Sequence, residues 1–232
     1  MSAEDLIYDI LEIKNALEDD NDIDESWLLN KINLYRQFRI AADYAVNHEI
    51  KPVWLQRLRK QSVQKVTSAD DPSIDITSIA VGKVTLPGIL ALPDDMGLNR
   101  VSGSAGILTY DQIDFDTMMM KVCFDEERMG EFGYCSRIGN DLYLYPYAME
   151  IQAVIIAENP FDIPVMDATT KALRAMTVAD PYPLDGESAQ WITLEILTKD
   201  LNLNAQMVSD IVNDSQSQLK LRQNGAYQNS ES

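Results

Sequence analysis

The spacing of apolar residues changes twice along the 232-residue chain, and that double change limits the fold more than any other feature. Up to about residue 60 the spacing is helical. From about Thr67 to Ala157 it has period two with Pro, Gly and Asp punctuation, and after Pro160 and Pro164 it becomes helical again. Helices and strands that are segregated rather than alternating point to an α+β protein, with N-terminal helices, a central antiparallel β-sandwich or small barrel, and C-terminal helices. The expected layout is an N-terminal helical region over 1–62, an antiparallel β domain over 63–165, a C-terminal helical region over 166–221 and a polar tail over 222–232.

Local signals sharpen this layout. Ser2 with Asp5 resembles a capping box, and Leu6, Ile10, Ile13 and Leu17 follow at helical spacing. A second helix is expected from about Asp24 to Asn47, its stripe formed by Leu28, Ile32, Tyr35, Phe38, Ala42 and Ala45, with His48 near its C-terminus as a cap or surface residue. Lys51-Pro52 ends it, and Pro52 suits the start of a shorter helical piece carrying Trp54, Leu55 and Leu58, with Arg57, Arg59 and Lys60 turned outward. Within the β region, Ile74 to Val81 and Lys83 to Leu92 alternate, and Met118, Met120, Val122 and Phe124 fit one face of a strand. Phe132 to Ile138, the Gly139-Asn140 turn and Leu142 to Tyr147 encode a hairpin, and Glu150 to Ala157 a further strand. Ala168 to Met176 fits a short helix. The stretch around Trp191, Ile192, Leu194, Ile196 and Leu197 is apolar almost all round, so it belongs between layers or against a partner. Met207, Val208, Ile211 and Val212 fit a last amphipathic helix.

Charge excludes some functions. With 37 Asp and Glu against 19 Lys and Arg the net is −18, which repels phosphate and argues against tight nucleic-acid binding by the chain as a whole. The charge is segmented: residues 1–30 hold ten acids and one Lys, residues 31–66 hold eight Lys or Arg and two acids, and the rest is acidic. Complementary segments of this kind suit contacts between neighbouring subunits. No apolar run is long enough to cross a membrane, and no signal peptide is recognisable.

No constellation of catalytic or metal-binding residues stands out. One His, two Cys (Cys123 and Cys135, expected as buried inert thiols on strands), no phosphate loop and no Gly-x-Ser-x-Gly elbow leave no cofactor or metal to assign. Asp114 and Asp116, on one side of an alternating stretch, are the pair a carboxylate-dependent hydrolase would use. That enzyme is one alternative reading, and an acidic adaptor protein is another. The candidate contact residues are Trp54, Arg57, Arg59, Lys60 and Trp191, because Trp and Arg most often anchor interfaces.

The run Ile138-Gly139-Asn140-Asp141-Leu142-Tyr143-Leu144-Tyr145-Pro146-Tyr147, then Glu150 to Pro160, and the later Tyr182-Pro183-Leu184 resemble segments of the head-to-tail ring, or connector, proteins of short-tailed crAss-like bacteriophages. The resemblance covers roughly residues 130 to 215. It implies a non-enzymatic virion protein made in the host cytoplasm, forming a ring of about twelve copies with itself. The ring would meet the portal protein and adjacent tail rings and surround a channel through which genomic DNA passes without tight binding. A separate expectation is that the segment from Gln216 lies along an adjacent ring.

Overall fold

Ser2 and Asp5 begin the first helix as a reciprocal pair. The Ser2 backbone N–H donates to the Asp5 carboxylate at 2.7 Å, and the Asp5 N–H donates to the Ser2 hydroxyl at 3.0 Å. The computed structural model describes residues 1–17, 23–72, 74, 80–104, 106, 108–124 and 132–203. They fall into two compact units, one of Met1–Val53 with the chain from Thr177 onward, the other of Trp54–Met176. The α-helices are α1 (Ala3–Leu17), α2 (Glu25–Asn47), α3 (Phe115–Phe124) and α4 (Gly186–Glu195).

In the first unit α1, α2 and α4 pack on one another, and α4 runs on into a π turn (Ile196–Asp200). Asp24 caps α2 by accepting from the Ser26 N–H at 2.9 Å. His48 closes it in the left-handed region at φ 54°, its N–H donating to the Tyr44 carbonyl at 2.8 Å, the expected capping role. The buried stripe of α2 differs from the expected one. It consists of Leu28, Ile32, Arg36, Ile40 and Tyr44, a strict four-residue series, while Phe38, Ala42 and Ala45 are exposed. The reason is Arg36: a charge ordinarily marks the outer side of a helix, yet this guanidinium is fully covered. Its Nε donates to the Pro183 carbonyl at 3.1 Å, and the group lies 5.9 Å from the Tyr182 ring centroid. Burial pushes its pKa down to about 10. Paired ends complete the unit: the Glu4 N–H donates to the Val178 carbonyl and the Tyr182 N–H to the Met1 carbonyl.

The helical piece expected after Pro52 is a single 3-10 turn (Pro52–Trp54) where the chain passes from the first unit into the second, and β1 (Gln56–Ser62) follows in the second. A bulge between Leu58 and Gln61 shifts the register of β1 and hides its period of two from the sequence. The other strands are β2 (Gln64–Val66), β3 (Val81–Thr85), β4 (Leu98–Gly103), β5 (Thr109–Gln112), β6 (Phe132–Ile138), β7 (Asp141–Tyr145) and β8 (Glu150–Ile155), hydrogen-bonded in the order β1-β8-β4-β5-β6-β7-β3-β2. Because β1 and β2 sit at opposite ends of that order with only Val63 between them, the sheet must curl until its two edges meet. This is the small-barrel form of the expected architecture. Gly82 permits the closure, since a Cβ there would lie 2.7 Å from a Val63 methyl.

All neighbouring strands of this sheet are antiparallel except β5 and β6, whose parallel pairing requires a crossover. The crossover contains α3, where the sequence predicts a strand. Asp114 starts α3 by accepting from the Thr117 N–H at 2.8 Å, and Met118, Met119 and Val122 are buried at helical spacing while Met120 is exposed. Met has good helix propensity, and a run of three supplies no period that would separate helix from strand. The barrel interior holds Leu58, Val84, Val101, Cys135, Leu142, Leu144, Ile151, Ala153 and Ile155. Tyr143 faces the other way, into a second cluster with Met118, Met119 and Val122 of α3.

The short helix expected over Ala168–Met176 is instead a small hairpin, β9 (Val165–Met166) with β10 (Leu173–Arg174). Asp167 turns the chain there by accepting from the Thr169 and Thr170 N–H groups. The expected segments at 75–79 and 207–212, and the tail from Gln216, lie outside the described residues.

Two substitutions test these constraints by urea unfolding. Arg36→Ala should destabilise by about 3 kcal/mol or more, because it strands buried polar partners, whereas Arg36→Met should cost clearly less. Gly82→Ala should cost about 1–3 kcal/mol through overpacking against Val63.

Candidate assembly surfaces

The cations of the basic segment divide by location. Lys31 pairs with Asp200 at 2.5 Å, Arg39 with Glu187 at 3.2 Å and with Asp43 at 3.5 Å, and Lys51 with Asp43 at 2.7 Å. Together with the buried Arg36, these residues hold the first unit together. Arg57, Arg59, Lys60 and Lys65 are on β1 and β2, and their side chains form no ion pair among the described residues.

Strand geometry brings three of the expected contact residues together. Leu58 points into the barrel, so its neighbours Arg57 and Arg59 point out, and Lys60 occupies the bulge at φ 51°. A fourth cation joins them that the sequence does not single out. Arg57 is opposite Val154 of β8, and Arg100 of β4 is opposite the same Val154 from the other side. Cross-strand partners share a face, so Arg57, Arg59 and Arg100 form one outward basic patch over β1, β8 and β4. The signal for Arg100 lies in strand pairing alone. It is far from Arg57 along the chain, and in the sheet a single residue of β8 stands between them.

The two tryptophans are placed differently. Trp54 is 0 % exposed, so its ring is covered within the chain. Trp191 is half-buried in the first unit, edge-on to Tyr35 with centroids 5.9 Å apart and with the Arg39 guanidinium 5.7 Å from its ring centroid. It packs α4 on α2.

The expected carboxylate pair lies at the start of α3, with Asp116 in its first turn. Asp114 is the cap of α3, its pKa held below the usual carboxylate value by hydrogen bonds from the Thr117 side chain and backbone. No group of three or more His, Cys, Asp or Glu positioned for a metal occurs among the described residues. Cys135 is buried on β6, where burial and the nearby Asp111 and Asp95 push its thiol up to about 12. Cys123, expected as a buried strand residue, is exposed on α3. No helix among the described residues is long and apolar enough to cross a membrane.

The family model for phage tail ring protein 2 matches residues 5–224. The chain belongs to that family, and is a crAss-like phage tail ring protein. A search of curated proteins finds no match. Membership makes this a structural protein of the phage tail, as the resemblance in the hairpin segment implies.

The capping role of Asp114 is testable. Asp114→Ala should lower the thermal unfolding midpoint and Asp116→Ala should leave it in place. Because the folded-state pKa of Asp114 is depressed, its contribution is present above the ordinary carboxylate value and lost as pH falls, so the deficit should narrow in acid. Equal effects of the two substitutions would contradict the cap.

Proposed function

We propose that the protein forms a closed ring of about twelve copies in the portal–tail region of the virion, joins the neighbouring rings and surrounds the channel through which the genome passes. It acts by assembly and carries out no catalysis. The observation behind this reading, beyond family membership, is the outward patch of Arg57, Arg59 and Arg100, with Lys60 in the adjoining bulge, on a chain of net charge −18. Cations that form no ion pair among the described residues of an acidic protein favour an acidic surface on a neighbouring component, and such contacts raise the rate and selectivity of docking.

The same charge balance suits a channel. A phosphate backbone is held in proportion to the cations it meets, and an acidic wall would let the genome slide. The patch is therefore assigned to protein docking, and the acidic remainder to the surfaces that DNA passes.

Reversing the patch tests the assignment. Arg57→Glu with Arg59→Glu and Lys60→Glu should abolish ring assembly or docking to the portal, seen by negative-stain imaging and sedimentation, while the circular dichroism spectrum and unfolding midpoint stay unchanged. Wild-type assembly and docking by this folded variant would overturn the role of the patch.

A further inference from the structure

The second helix of the first unit is apolar on two opposite sides. Leu28, Ile32, Ile40 and Tyr44 are buried in line with Arg36. At 3.6 residues per turn, Trp27, Leu34, Phe38, Ala41 and Ala45 all project within about 40° of the direction opposite Arg36. Phe38 is 58 % exposed and Leu34 43 %. A single exposed apolar residue needs no explanation, but a stripe along several turns does.

This outward face presents no unengaged charge. Beyond the first turn α2 carries Lys31, Arg36, Arg39 and Asp43, and each is buried or engaged with Asp200, Pro183, Glu187 or Lys51 of its own unit. Of these, Lys31 alone stands at the border of the stripe, and its ammonium is held by Asp200. Depletion of charge around an aromatic residue marks the core of a protein interface.

A ring protein meets its own copies, and charge permits that contact here. Two copies of a chain with net charge −18 repel where acids face acids, and the outward face of α2 brings none to the contact. The same unit has a groove of about 210 Å³ lined by Ile7, Tyr8, Leu29 and Val178 together with Glu4, Glu25 and Ser26. Leu29 is on the Arg36 side of α2, so stripe and groove lie on opposite sides of one helix. A contact between two different patches of the same chain is head-to-tail, the type that closes into rings.

We infer that the outward face of α2, centred on Phe38 and Leu34, docks into the α1–α2 groove of a second copy of this chain. This rests on the ring reading and names the lateral contact within it, separate from the basic patch that meets other components.

The test places a photo-crosslinking phenylalanine analogue at position 38 in the full chain, in purified assemblies and in intact particles. The expected product is a dimer of this chain whose crosslinked peptides contain Tyr8 or the Glu25–Leu29 segment. Alongside it, Phe38→Glu should remain folded by circular dichroism and lose self-assembly. Crosslinks to a different virion protein or to another part of this chain, or self-assembly by Phe38→Glu, would overturn the inference while leaving rings visible by imaging. Absence of rings from both wild-type protein and particles would overturn the ring reading itself, and this inference with it.

Discussion

The buried guanidinium of Arg36 ties the two ends of the chain into one unit. A cation taken out of water needs partners, and here they come from the segment 147 positions away: the Pro183 carbonyl accepts from its Nε and the Tyr182 ring lies beside it. Around that contact, Lys31 reaches Asp200, Arg39 reaches Glu187 and, just past the end of α2, Lys51 reaches Asp185, so α2 and the chain after it are tied to α4 and the turns that flank it. The consequence is orientation. With its charged side turned inward toward the C-terminal segment, α2 leaves an apolar face outside.

In the second unit the corresponding constraint is closure. One residue, Val63, separates strands at the two edges of the sheet, and Gly82 leaves room for it. The strand pleat sends alternate residues to opposite faces and the curl makes one face the interior: Leu58 goes inside, Arg57 and Arg59 outside. It also aligns β1, β8 and β4, so that Arg57 and Arg100 flank Val154.

Much of the fold is legible in the residues. The capping box at Ser2, the Asp24 start of α2, the hairpin around Gly139 and the strand after Glu150 are local, because each depends on groups a few positions apart. The segments that depart from expectation share a different character. The bulge in β1 disguises its alternation, three consecutive methionines carry no period, and Thr169 with Thr170 forms a turn around Asp167 in place of a helix. For α3 a usable signal is present in Asp114 and Thr117, at cap spacing ahead of the methionines. Of the residues expected to make contacts, the basic triplet is recognisable by composition. The burial of Trp54 and the packing of Trp191 are not, because an aromatic residue looks the same in sequence whether it anchors a core or an interface.

Composition and interactions within a few residues were enough to set the α+β class, the net charge and its segmentation, and the signals that start helices and turn hairpins. Other properties came only with the folded chain: which cations are engaged inside the molecule and which face outward, that Arg100 joins Arg57 and Arg59, and that α2 has an apolar face to spare. These depend on strand register and on contacts between segments distant in the chain, such as Arg36 with Pro183, which no local pattern encodes.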